Sequence, residues 1–398
     1  MGDQNIPECA RCVRAGRFCD RNHERKFRFR HNGTTEAPNS QTTTSSHALS
    51  RDARAAELFQ HYIHDLAAWY DLSDARQSFQ REVPRQALAS PLLMNAILAF
   101  AAIHISCTGA AAQRRVAERY HSSCIAHLIT LEGELPGDER ANTLAAVCLL
   151  RSYEILAEQY DPNRHLYGAY ALASSPSIDF STPSLNRACF FNYLREDITY
   201  SLMFSCCLKI EPETLLREHT ASTDQDYLNQ ISLLLGRTIN EVFSDEASEV
   251  QILELERELS HWKKSLPSNV RPYLDSTEIA VPGSFPKIYM LSESHVSIMQ
   301  YNIVTQGLLT FARSRSPEVL EMMNADAMRV CSLAFTSNQP AVLVNSYGPM
   351  AYLCTFLKSK VLRDELVVKI TASCKRTGWP VSRMIEAWRA AWPQQDSN

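Results

Sequence analysis

Apolar residues recur at three- and four-residue intervals along most of this chain. Leu58, Tyr62, Leu66 and Trp69, with Phe59, Ile63 and Tyr70 beside them, make one broad stripe, the spacing that lines one face of a helix with 3.6 residues per turn. Comparable stretches follow at 90–106, 113–132, 140–158, 186–208, 225–243, 247–265, 287–312, 317–336, 341–358 and 380–391. Pro91, Pro183, Pro286 and Pro380 stand near the starts of such segments, where a missing N–H has no helical partner to lose. No alternating run with Asn-Gly or Asp-Gly turns is present, so no sheet is expected. No period of about 20–50 residues recurs, which argues against a repeat solenoid. Residues 51–398 therefore predict an all-α domain, and the irregular stretch from Pro267 to Pro286 is a candidate boundary between two subdomains.

Two segments have a second reading. Pro91 to Gln113 holds no charged residue and is long enough to span a bilayer. It is rich in Ala, however, and interrupted by Asn95, His104, Ser106, Thr108 and Gly109, so a helix buried among neighbours explains it better and no membrane is expected. Ile252, Leu255, Leu259, Trp262 and Leu266 fall at alternating spacings of three and four, as in a coiled-coil seam. Two heptads are short for that, and a core-facing helix is expected, with a homodimer through this face as the alternative.

Composition agrees with helix: among 398 residues 45% are apolar and only 12 are Gly, enough for a sizeable core with few tight turns. Charge changes the picture, because the net of −4 is unevenly placed. Residues 1–31 carry eight Lys/Arg against four Asp/Glu, leaving 32 basic and 40 acidic residues for the rest. A basic arm for a polyanion in front of a mildly acidic body is the implied arrangement. Residues 32–50 contain nine Ser/Thr in nineteen positions and are expected to be a flexible linker. The opening MGDQNIPECARC has no apolar run for a signal peptide, and Ile6 stands where a myristoylation signal has Ser or Thr. The twelve cysteines are thus expected as reduced thiols in the cytosol or nucleus.

The basic arm also holds the strongest chemical signal, Cys9-x2-Cys12-x6-Cys19. Two thiols two residues apart can share one metal ion and a third can close on it, although structural zinc takes four ligands. His23, four positions after Cys19, could complete a mononuclear Cys3His site; weak or no zinc binding is the favoured outcome for three thiols. Arg11, Arg14 and Arg17 are interleaved with the cysteines, and Arg21, Arg25, Lys26, Arg28 and Arg30 follow. They suit contact with DNA phosphates, a nuclear-import signal, or simply a solvated charged tail.

PECARCVRAGRFCDR resembles the second half of the fungal binuclear zinc-cluster motif, in which six cysteines hold two zinc ions. Cys9, Cys12 and Cys19 match the fourth, fifth and sixth of them, and the first three have no counterpart in this chain. By that resemblance residues 1–31 are a partial DNA-binding segment that keeps phosphate-contacting side chains and lacks the helix that reads base edges. VPRQALASPLLMNAILAFAAIHIS, AERYHSSCIAHL, TLAAVCLLRSYEIL, RHLYGAYAL and CFFNYLREDI, with FPKIYMLSESHVSIMQYNIV and TGWPVSRMIEAWRAAW further on, resemble the fungal-specific transcription factor domain that accompanies such clusters. The resemblance implies a nuclear transcription regulator acting with the transcription machinery or regulatory proteins, pathway-specific in a metabolic or secondary-metabolite gene cluster. The alternative is a protein–protein regulator that does not read DNA sequence. Because the chain opens inside what resembles the loop between the half-clusters, the missing three cysteines are expected on an upstream exon, with true truncation as the other history.

Catalysis is not expected. No DDxxD cluster, GxxxxGK[ST] loop, HExxH or GxSxG occurs, and Glu196-Asp197 and Asp245-Glu246 are isolated pairs. Cys206-Cys207 is expected to pack in an apolar helix, and His104 with Cys107 to be satisfied core residues more than metal ligands. Arg195, Glu196 and Asp197 are expected to form a structural ion-pair network.

Overall fold

A computed structural model describes residues 52–131, 137–159, 182–210, 212, 221–279, 281 and 283–392. The cysteine cluster, the basic run and the linker lie outside these residues. Helix α1 (Ala53–His61) begins at Asp52, whose carboxylate accepts from the amides of Arg54 at 3.0 Å and Ala55 at 3.2 Å. The chain continues through a wide turn, Tyr62–Leu66, and a tight one, Ala67–Trp69, to short helices α2 (Ser78–Arg81) and α3 (Val83–Ala87). Then come α4 (Pro91–Thr108), α5 (Arg114–Ile129), α6 (Gly137–Glu158) and α7 (Leu185–Phe204). The rest comprises α8 (Asp224–Val242), α9 (Glu249–Ser265), α10 (Glu293–Arg313), α11 (Pro317–Ser337), α12 (Pro340–Leu353), α13 (Lys360–Thr377) and α14 (Ser382–Ala391). The fold is all-α, as the periodicity predicts.

Hydroxyl caps place many of these starts. Ser90, Ser184, Ser292, Ser316 and Ser359 each accept from the amide three residues on, satisfying a donor that the helix itself leaves unpaired. Thr223 and Asp226 form a reciprocal capping box at α8, and Arg187 of α7 pairs with Asp226 at 2.8 Å. Partial burial opposes ionisation of Asp226, but hydrogen bonds from Ser222 and Thr223 and the Arg187 guanidinium outweigh it and hold the carboxyl at about 2.

Helix α4 is buried almost all round from Leu92 to His104 and packs on α5 and α6. It is the one described helix apolar and long enough to cross a membrane, and most of it is covered by protein. Helix α7 packs on α6, α8 and α12, while α10 joins α8, α11 and α12. The seam residues Ile252, Leu255, Leu259 and Trp262 of α9 are buried, and α9 packs on α8 and α10, so this stripe faces the core.

Three details depart from the pattern. Helix α13 lies outside the apolar stretches picked out by periodicity: its buried line, Leu362, Leu366, Ile370, Ser373 and Thr377, ends in polar residues, while Val361 and Val368 point outward, which blurs the stripe. Leu274–Asp275 and Ile288–Tyr289 form a two-residue antiparallel pair where no strand is expected. It is fixed from outside, by Arg329 on Asp275 at 2.9 Å and by the Thr336 hydroxyl accepting from the Ile288 amide at 3.1 Å. Cys206-Cys207 is not within a helix, because α7 ends at Phe204 with Ser205 left-handed at φ 48°; Cys206 is half-buried and Cys207 exposed.

Helices α7 and α12 cross closely at Gly348, where a Cβ would lie 2.8 Å from the Thr199 Cα. Backbone cannot yield as a side-chain tip can. Pro349 follows inside α12 and has no N–H for the carbonyl of Asn345 four residues back. Gly348→Ala is accordingly expected to destabilise the protein by about 1–3 kcal/mol, the usual range for overpacking, read as a lower midpoint in urea. An unchanged midpoint would refute the crossing.

A candidate ligand pocket

Five separated segments meet around a pocket partly open to solvent, with about 1020 Å³ of non-atom space when its open mouth is included. Trp69 and Tyr70 come from the tight turn after α1, and Arg151, Ser152 and Ile155 from α6, with Gln159 just beyond it. Helix α7 contributes Asn192, Arg195, Glu196, Thr199, Tyr200, Met203 and Phe204. Those positions advance by three, one, three, one, three and one, so they share one helix face. Val344, Asn345 and Tyr347 of α12, then Trp379, Pro380, Arg383 and Met384 at the start of α14, close it.

Arg195 organises the polar part. Its side chain is 2% exposed; it donates to Asn192 Oδ1 at 2.6 Å, to Asn345 Oδ1 at 3.3 Å and to the Ser73 hydroxyl. Each asparagine is oriented by its own amide: Asn192 donates to the carbonyls of Tyr70 at 2.8 Å and Ala188 at 2.9 Å, and Asn345 to those of Trp69 at 3.3 Å and Ala341 at 2.8 Å. The Ser73 carbonyl in turn accepts from Asn229 of α8 at 3.1 Å. Both pocket aromatics of the turn are thereby tied by their backbones to α7 and α12. Among the described residues no carboxylate lies within ion-pair distance of Arg195. Burial lowers its pKa from the ordinary arginine value, opposed by the neighbouring Tyr301 and Glu196.

The adjacent Glu196 instead pairs with Arg151 at 2.5 Å, and the Tyr70 hydroxyl donates to Ser152 at 2.5 Å. Asp197 points away from the pocket and accepts from the amides of Lys209 at 2.7 Å and Ile210 at 3.1 Å. The expected network of Arg195, Glu196 and Asp197 thus divides into three separate roles, and only Glu196 makes a close carboxylate–arginine pair. The pocket as such has no sequence signature, since its residues are ordinary helix residues from distant segments.

His104 supports the aromatic wall from behind, with its ring 5.4 Å from Trp69, edge to face. His104 Nδ1 lies 3.0 Å from His61 Nε2, and His61 Nδ1 lies 2.8 Å from Asp65. Cys107 does not join it: its thiol donates to the Leu156 carbonyl at 3.4 Å. No group of three or more His, Cys, Asp or Glu fit to hold a metal occurs among the described residues. The sequence-derived metal candidates Cys9, Cys12, Cys19 and His23, and the basic residues Arg11, Arg14, Arg17, Arg21, Arg25, Lys26, Arg28 and Arg30, lie outside those residues.

Comparison with protein families accounts for the larger part of the helical body. The fungal specific transcription factor domain matches residues 57–335, and the chain belongs to that family. It is on this ground a transcription regulator. No curated protein and no solved structure matches it. The matched range ends before Val344, so the α12 and α14 walls of the pocket lie beyond it.

Burial and the nearby His61 push the His104 pKa down to about 4. Its folded value lies below the ordinary histidine value of about 6.5, so the unfolded chain binds the proton that the native chain refuses. His104 therefore withdraws stability as the pH falls from about 6.5 towards 4, by about 2 kcal/mol at pH 5. Urea midpoints at pH 7 and pH 5 for the natural protein and His104→Leu check this. The natural protein should lose more over that interval; equal losses would contradict the neutral buried imidazole.

Proposed function

We propose that this chain is a nuclear, pathway-specific transcription regulator of the zinc-cluster type, whose helical body governs its output and whose basic N-terminal segment contacts DNA. The family match over residues 57–335 behind a Cys9-x2-Cys12-x6-Cys19 element carries this reading. Arg11, Arg14, Arg17, Arg21, Arg25, Lys26, Arg28 and Arg30 neutralise phosphates, which supplies salt-sensitive affinity and no base information. The acidic balance of the remaining residues keeps the body off the polyanion.

The donor set limits the metal chemistry. Cys9, Cys12 and Cys19 are three of the six thiolates that two zinc ions need, so the residues present do not fit a binuclear cluster. With His23 they would supply the four donors that one zinc ion takes. A second reading is a regulator that acts through protein contacts made by the helical body. A secondary-metabolite gene cluster is the kind of target either form would serve.

The full chain is expected to bind short DNA duplexes with an affinity that falls steeply with salt and does not differ between sequences. Joining a Cys-x2-Cys-x6-Cys segment with interleaved Arg and Lys before Met1 should restore discrimination. A preference of about a hundredfold for one site by the unextended chain at physiological salt would place base reading in residues already present. No measurable binding at low salt would favour the protein-contact regulator. Metal analysis of the same preparation should find little zinc; one tightly held ion, lost on His23→Ala, would establish the mononuclear site.

A further inference from the structure

We propose that the pocket beside Arg195 is an effector site for a planar, mainly apolar small molecule carrying one anionic oxygen group, such as an aromatic carboxylate or sulfonate. Among the described residues its walls carry Arg151, Arg195 and Arg383 together with the carboxylate of Glu196. Arg151 is matched by Glu196 at 2.5 Å. Arg195 is not matched: its three hydrogen bonds go to neutral oxygens, and a guanidinium has five N–H donors. Two therefore remain without an acceptor among the described residues, on a side chain 2% exposed that lines the pocket. The cost of keeping a cation out of water is offset best by an anion brought into the same low-dielectric space.

Trp69 and Trp379 stand edge to face at 6.3 Å on one side of that space. Phe204, 50% exposed at the rim, presents apolar surface on the chain that enters from α7. The Trp69 indole N–H is buried and has no acceptor among the described residues. Flat apolar surface, a buried unmatched cation and an exposed Arg383 at the start of α14 define a ligand with a ring body and an acidic end. A neutral hydrocarbon would leave Arg195 as it is. A strongly polar polyanion would leave the aromatic walls wet.

The ligand would set the output of the regulator proposed above, yet its binding is measured without DNA, so failure of either reading leaves the other standing. The probe is 8-anilinonaphthalene-1-sulfonate, compared with N-phenyl-1-naphthylamine, which has the same rings and no sulfonate. Added to the full chain at physiological salt, the sulfonate is expected to bind once per chain, quench tryptophan emission, and bind about tenfold tighter than the neutral dye, the gain of one charge-assisted contact. Met203→Trp, at a half-buried wall position, should abolish saturable binding of both dyes. Arg383→Gln should reduce the preference for the sulfonate and Arg195→Met should remove it. Circular dichroism and melting show whether Arg195→Met folds; if it does not, the other two variants decide. Equal affinity for the two dyes, or saturable binding that survives Met203→Trp, would overturn the proposal.

Discussion

A single buried guanidinium fixes how the two ends of this helical body meet. Arg195 projects from the middle of α7 and is held by Ser73, Asn192 and Asn345, which come from the turn region, its own helix and α12. The two asparagines pass the constraint on, because each spends its amide hydrogens on backbone carbonyls of Trp69, Tyr70 and their own helices. A charge paired with a carboxylate would need fewer partners and would fix less. Neutral acceptors must be many and well aimed to hold a cation out of water, so the geometry of three segments is set by one side chain. The close crossing at Gly348 then sets how near α12 comes to α7 beside that group.

The helices were largely legible in the chain because their apolar stripes are long and their starts carry Ser, Thr or Asp. Ser90, Thr223 and Ser316 cap where the periodicity begins. Helix α13 was not legible, since Ser373 and Thr377 occupy its inner line and join the Tyr347 hydroxyl at 3.1 and 3.2 Å. Polar residues buried for a hydrogen bond look like surface when read as a string. The pocket was illegible for a related reason. Arg195 and Glu196 were visible as charged neighbours, but neighbours on a helix point apart, and only the packing of α6 and α12 shows that one charge is paired and the other is not.

Charge divides the molecule into two tasks. The excess of positive residues is concentrated in positions 1–31, and the remainder is acidic, so the proposed attraction to phosphate would be carried by one short stretch. Within that remainder, the described lining of the pocket includes three arginines and one carboxylate. The proposed small acid and the proposed nucleic-acid contact would thus draw on different side chains.

The bond from Asn345 to the Trp69 carbonyl joins residues 276 apart in sequence. During synthesis the turn at Trp69 leaves the ribosome long before α12 exists, and its wall is completed only after Trp379 and Arg383 follow. At a translation rate of about 5–20 residues per second this delay lasts many seconds. Throughout that time the early apolar segment around Trp69 and α4 is without its final cover, which makes the nascent chain, more than the finished one, the form most dependent on chaperones.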